Sequence, residues 1–149
     1  MPILHVPHRE QIQHSDCLAA CAAMVLDYLG RPVSYQHLLT TMGIGPIGAP
    51  RRNIARLGQL GLKVTYGEST MSLVEARLHQ GQPVIAFVDT AELSYWSVAS
   101  NHAVVIVGID SDMVLVNDPA FTTAPQRVAR GEFELAWLNA DNTCAVLEQ

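Results

Sequence analysis

From Leu18 to Leu29 the chain is apolar at almost every position, interrupted by Asp27, and alanine supplies four of the twelve residues. Ser15 or Asp16 stands where a helix cap belongs, and Gly30 followed by Arg31 and Pro32 stops the run, so a helix is predicted here. Ser34 caps a second helix running to Met42. A glycine-rich break from Gly43 to Gly48 follows, and a third helix runs from Pro50, a residue suited to a first turn, to Leu60 before Gly61. A fourth spans Ser72 to Gln80, ahead of Gly81. Beyond this point the period changes. Residues 83–88, 102–109 and 113–117 are short β-branched runs bounded by turn residues and read as strands, the last two joined by a hairpin through Asp110, Ser111 and Asp112. A short helix from Phe133 to Leu138 and a final strand from Cys144 to Leu147 complete the chain. A helical first half and a mostly antiparallel second half make an α+β fold. Without an internal repeat, linker or low-complexity segment, residues 1–149 are expected to form one domain.

Composition narrows the function classes. The charged fraction is 15% against about 25% for an average soluble protein. The net charge of −5 and the lack of a basic run argue against a nucleic-acid partner. The first ten residues lack a basic region leading into a sustained apolar stretch. No window approaches the ~18 apolar residues of a membrane span, so no membrane insertion is expected. Three cysteines, at 17, 21 and 144, are an odd number in a chain large enough not to need staples; reduced thiols in a cytoplasm are expected.

Cys17 falls in the first turn of the first helix, where a thiol faces the positive end of the helix dipole and a nearby imidazole can take its proton. His102, opening an apolar strand, is the candidate base. Asp118 lies sixteen positions later, at the end of the hairpin's return strand. A turn centred near Ser111 roughly mirrors 102 onto 118, which brings a carboxylate beside the imidazole. Nucleophile, base and acidic orienter are the parts of acyl-transfer catalysis. An oxyanion needs donors as well, and Gln11, six positions before Cys17, can bring its side-chain amide beside the Cys17 backbone N–H. Gln13 is the rival for that place. Cys21, one turn further along an alanine-rich helix, and Cys144, in an apolar strand, are expected to fill the core.

Gln11, the Asp16-Cys17 pair, Ala20-Cys21, the helix from Ala23 to Leu26 ending at Tyr28-Leu29-Gly30, the strand from His102 to Gly108 and the sequence Asn117-Asp118-Pro119 together resemble the papain-like double-glycine leader peptidases. The resemblance runs from about Ile3 to Trp137. Those enzymes process bacteriocin precursors and usually form the N-terminal domain of an export transporter. The resemblance implies a papain-like fold, Cys17 as nucleophile, His102 as base, Asp118 as orienter and Gln11 as oxyanion donor, with a leader peptide as substrate and an export transporter as a candidate partner. Two departures accompany it: Leu18 stands where a glycine is usual after the nucleophile, and no transporter segment follows, so a free-standing member is expected.

Other features have plainer readings. His5, His8, His14, Cys17 and Cys21 crowd the N-terminus, but the two cysteines share one helix and the spacing does not suit zinc, so neither a metal nor another cofactor is expected. Gly43, Gly45 and Gly48 reproduce GxGxxG without a preceding strand and read as a loop, one that can flank a substrate groove. Asp110, Asp112 and Asp118 could suggest calcium, but no loop glycine or distal glutamate completes an EF-hand, so turn chemistry is the expected reading. Arg51, Arg52 and Arg56 read as a solvated helix end that can also grip an acidic peptide. Tyr95 and Trp96 suit either core or groove lining. A peptidase cutting after small residues is the leading expectation. The alternatives on the same fold are a domain that binds peptides or a transporter without cutting, and a cysteine acyltransferase, which passes through the same thioester.

Overall fold

The computed structural model describes residues 2–149. Helix α1 (Cys17–Tyr28) is the centre of the first core, with every residue from Leu18 to Leu26 buried. Alanine and cysteine on its crowded faces let neighbouring elements approach closely. Asp16 occupies the cap position, but its side chain does not cap; Oδ2 turns back to accept the Gln13 backbone N–H at 3.0 Å. Helix α2 (Tyr35–Met42) follows, its Ser34 hydroxyl accepting from the His37 N–H.

Where a third α-helix is predicted, residues Arg51–Leu60 form a 3-10 helix. The buried Ile54 and Leu57 lie three apart. A three-residue turn stacks them on one line, and the α period does not. The fourth predicted helix is α3 (Met71–His79), capped by Thr70, and the last is α4 (Arg130–Leu138), which begins three residues before its predicted start.

The strands are β1 (Lys63–Glu68), β2 (Val84–Asp89), β3 (Asn101–Ile109), β4 (Met113–Asn117), β5 (Gln126–Ala129) and β6 (Thr143–Glu148). They form one sheet in the order β1-β6-β2-β3-β4-β5, with every neighbouring pair antiparallel. The outermost strands, β1 and β5, are the two absent from the sequence prediction. An edge strand is paired on one side only and buries few side chains; Val128 alone is buried in β5.

Both faces of the sheet are covered. On one, α1, α2 and the 3-10 helix pack against alternate residues including Ile85, Phe87, Ala103 and Val105. On the other, Phe133, Ala136 and Trp137 of α4 and Val74 and Leu78 of α3 meet Val84, Ala86, Val104 and Ile106. The central strands are therefore apolar on both faces, which is why β2 and β3 read as unbroken hydrophobic runs. The expected α+β architecture, with the helix that carries Cys17 packed on a mostly antiparallel sheet, is the one observed; α3 and α4 cover the other face of that sheet, and β1 comes from the first half of the chain. Among the described residues no helix is long and apolar enough to cross a membrane.

Candidate active site

The cleft lies where the start of α1 meets the start of β3. Cys17 is the first residue of α1 and is half-buried. His102, the second residue of β3, is 7% exposed, and Asp118, just past β4, is fully buried. Toward the end of β4 the pairing is centred on Ser111, as predicted, and it brings Asp118 within two residues of a direct position opposite His102. The turn closes between Asp110 and Met113, and a bulge shifts the β3–β4 register, so that Val105 faces Asn117. Continued by one step, that register sets Asp118 opposite Val104. Its carboxylate reaches the diagonal neighbour, a distance that a pair of long side chains spans. His102 Nε2 and Asp118 Oδ1 lie 2.7 Å apart.

Three other donors reach the same carboxylate. The Ala120 N–H donates to Oδ1 at 2.9 Å, and the Tyr95 hydroxyl and the Trp96 indole N–H donate to Oδ2 at 2.7 and 2.8 Å. Burial opposes ionisation of Asp118, yet the hydrogen bond and charge of His102, with the Ala120 and Tyr95 donors, hold its carboxyl below the usual carboxylate range. At His102, burial pulls the proton affinity down. The bond to Asp118, the bond to the Cys17 thiol and the charges of both outweigh it, and the imidazole pKa rises from 6.5 to about 9. With Nε2 committed to Asp118, Nδ1 is the nitrogen left for the thiol.

The other two thiols are suppressed. Cys21 is completely buried; burial first, then the charges of Cys17 and Asp118, push it well above the ordinary thiol value. Burial also raises Cys144.

Gln11 lines the same cleft. Its side-chain N–H groups donate to the carbonyls of Gln13, at 3.1 Å, and His14, at 3.0 Å, while its Oε1 is buried without a partner. The amide thus sits within the loop that leads into Cys17, next to the helix start and turned onto its own backbone. Gln13 is exposed.

A cavity of about 1050 Å³ opens over these residues. One wall is the glycine loop, in which Gly45 and Gly48 bridge each other. Gly48 has φ +87°, and a Cβ there would lie 3.3 Å from the Ser15 carbonyl, so glycine lets this wall close on the segment preceding Cys17. The predicted role of the loop as a flank is met in position. Around the mouth, Ile12, Ile47 and Val98 are 68%, 99% and 58% exposed. Leu18, in place of the usual glycine, is buried beside Cys17 and lines the cleft floor.

The remaining candidates disperse. His8 Nε2 meets the Phe121 carbonyl at 2.6 Å, His5 and His14 are exposed, and among the described residues no group of three or more His, Cys, Asp or Glu is placed to hold a metal. Asp110 Oδ1 accepts the N–H groups of Asp112 and Met113, holding the turn. Arg51 is not a solvated end: it is half-buried, donates to the Ala140 carbonyl at 2.7 Å and lies over the Phe87 ring. Arg52 and Arg56 are exposed. Sequence reasoning left Tyr95 and Trp96 without a role; an aromatic doublet with two polar tips in a polar loop close to His102 was the available signal.

Comparison with known proteins gives the family and the fold. The profile described as Peptidase_C39 like family matches residues 3–145. No curated protein sequence matches the chain. Among solved structures, one from Bacillus anthracis described as a C39-like peptidase is 18% identical over 100% of this chain and 98% of its own, with a TM-score of 0.83. The peptidase domain of Streptococcus ComA, a bi-functional ABC transporter involved in quorum sensing, is 20% identical, with coverages of 97% and 98% and a TM-score of 0.78. A double-glycine motif protease from an AMS/PCAT transporter, solved with its leader peptide, is 20% identical, with coverages of 99% and 94% and a TM-score of 0.74.

Proposed function

The chain belongs to the C39-like peptidase family, and from that premise we propose that it is a cysteine peptidase in which Cys17 attacks a peptide carbonyl with His102 as base and Asp118 as orienter. The observation that carries the proposal is the 2.7 Å contact between His102 Nε2 and Asp118 Oδ1, with Cys17 and His102 lining one open cleft. His102 Nδ1 takes the thiol proton, and Sγ bonds to the carbonyl carbon. The resulting oxyanion is met by the Cys17 backbone N–H, one of the free amides of a helix start, and by one Gln11 N–H turned away from its carbonyl acceptors. Collapse of the intermediate breaks the C–N bond, and the amine leaves with the proton from His102. Water, deprotonated by His102, then cleaves the thioester and releases the acid and the thiol.

The exposed Ile12, Ile47 and Val98 suit a substrate with apolar side chains on either side of the scissile bond. A leader peptide ending in two small residues is the proposed substrate class, supported by the neighbour solved with such a peptide, and an export transporter is the proposed source of context, by analogy with the transporter peptidase domains. Three free thiols support a reducing, cytoplasmic setting.

Synthetic peptides that place Gly-Gly, Ala-Gly or Leu-Leu after an apolar segment test the proposal by mass spectrometry of the products. Cleavage after the small pairs and none after Leu-Leu is expected; a protein that cuts none of them, or cuts only when zinc is supplied, contradicts it. In the same assay Gln11→Ala is expected to lower kcat on the order of 10²- to 10³-fold, the scale of one oxyanion donor. A harmless Gln11→Ala beside a crippled Gln13→Ala reverses the oxyanion assignment and leaves the Cys17, His102 and Asp118 set standing.

A further inference from the structure

We propose that Tyr95 and Trp96 are positioning residues: by holding Oδ2 of Asp118 between two donors they keep the carboxylate charged and its Oδ1 turned to His102. The inference rests on the peptidase reading above. Asp118 is fully buried. A carboxylate taken out of water stays ionised only where its lone pairs are filled, and the His102 and Ala120 bonds fill those of Oδ1 alone. The Tyr95 hydroxyl at 2.7 Å and the Trp96 indole at 2.8 Å fill Oδ2. Without them the charge at Oδ2 has no partner in the protein, and the group relieves itself by taking a proton or by rotating away from the ring.

The donors are themselves held. The segment that carries them is tied at its neck: Thr90, 1% exposed, donates its backbone N–H to the Ser100 carbonyl at 3.0 Å and its hydroxyl to the Val98 carbonyl at 2.8 Å. The aromatic rings add a second constraint. Trp96 stands edge-on to His102 with centroids 4.7 Å apart, and both Tyr95 and Trp96 meet Phe121 edge-on, at 5.2 and 5.4 Å. Phe121 follows Asp118 in the same turn, its N–H donating to the Asp118 carbonyl at 3.1 Å. One loop therefore fixes the carboxylate, the imidazole and the turn between them. Burial first, and then the charge of Asp118, raise the Tyr95 phenol above its ordinary range, so that it remains a donor at every pH at which the enzyme works.

A purely packing role and the proposed one predict different pH behaviour. Tyr95→Phe removes the hydroxyl and keeps the ring; Trp96→Phe removes the N–H and keeps an aromatic edge toward His102. The rate of Cys17 alkylation by iodoacetamide is measured from pH 2.5 to pH 9 in each variant and in the unmodified protein, with thermal unfolding run alongside. Loss of one donor makes Asp118 easier to protonate, so the acid limb of the profile is expected to move up by about half a pH unit or more in each variant, and further in the double variant. Acid limbs that superimpose on that of the unmodified protein, in folded variants, overturn the proposal even where the rates are lower. If one single variant does not fold, the other decides. Failure of the peptidase reading itself is seen separately, as an unmodified protein in which Cys17 is not the residue alkylated.

Discussion

Replacing Cys17 with alanine is expected to remove peptide cleavage, by roughly 10⁶-fold in kcat, the scale seen when the nucleophile of a catalytic triad is lost. The effect is this large because no second thiol can take over. Cys21 is one turn further along α1 with its side chain completely buried, and Cys144 lies in β6 among the residues facing α3 and α4. Folding should be little changed, since Cys17 is only half-buried and alanine suits the first turn of a helix. His102→Ala is expected to cost nearly as much, and the Cys17→Ala, His102→Ala double variant no more than either alone, because the pair acts as a unit. Peptide binding should survive in all three, as the apolar rim of Ile12, Ile47 and Val98 is untouched. Steady-state cleavage with binding measured in parallel checks each point; residual cleavage within tenfold of the unmodified protein in Cys17→Ala sinks the nucleophile assignment.

Asp118→Asn should lower kcat on the order of 10⁴-fold while leaving the shape of the site intact. It should also move the pH profile. His102 holds its proton up to about pH 9 because the bond and charge of Asp118, with those of Cys17, outweigh the burial that pulls the other way. Removing the charge lets burial gain, so the imidazolium is lost at lower pH. The alkaline limb of kcat/KM is therefore expected to start near pH 9 in the unmodified protein and to shift toward acid in Asp118→Asn. Chelators should change neither profile. An alkaline limb that stays in place, or inhibition by EDTA that zinc reverses, contradicts the role of Asp118 as orienter and points back to the N-terminal histidines and cysteines.

The parts of this site that the sequence declares are those whose chemistry fixes their surroundings. An alanine-rich apolar run with a capping position before it has to be a buried helix, which puts Cys17 at its start. Two β-branched runs about an Asp110–Asp112 turn have to pair, which puts Asp118 near His102. A mirror about Ser111 sets Asp118 opposite Val104, two residues from His102, and the bulge between Ile106 and Gly108 that produces this register leaves no mark in a run of valine and isoleucine. β1 and β5 escaped for a different reason: edge strands need little apolar surface, and Val64 with Tyr66, or Val128 alone, satisfies them. The 3-10 helix was hidden by the likeness of i, i+3 to the α spacing. Least legible were the long-range donors. Nothing in Tyr95 or Trp96 marks a partner twenty-two or twenty-three residues away, since that partnership depends on how the loop after β2 folds over the end of β4. Gln11 is legible as a residue near Cys17, but its orientation onto the Gln13 and His14 carbonyls is a property of the folded loop.

The central claim is that Cys17 and His102 work as one nucleophilic pair, and its most direct test is brief iodoacetamide treatment of the folded protein near pH 6, followed by peptide mapping, with His102→Ala treated in parallel. The account predicts label at Cys17 alone, faster than on a free cysteine at that pH, and a marked slowing in His102→Ala, because the imidazole that takes the thiol proton is gone. Equal labelling of all three cysteines, preferential labelling of Cys144, or a Cys17 rate indifferent to the loss of His102 would contradict it.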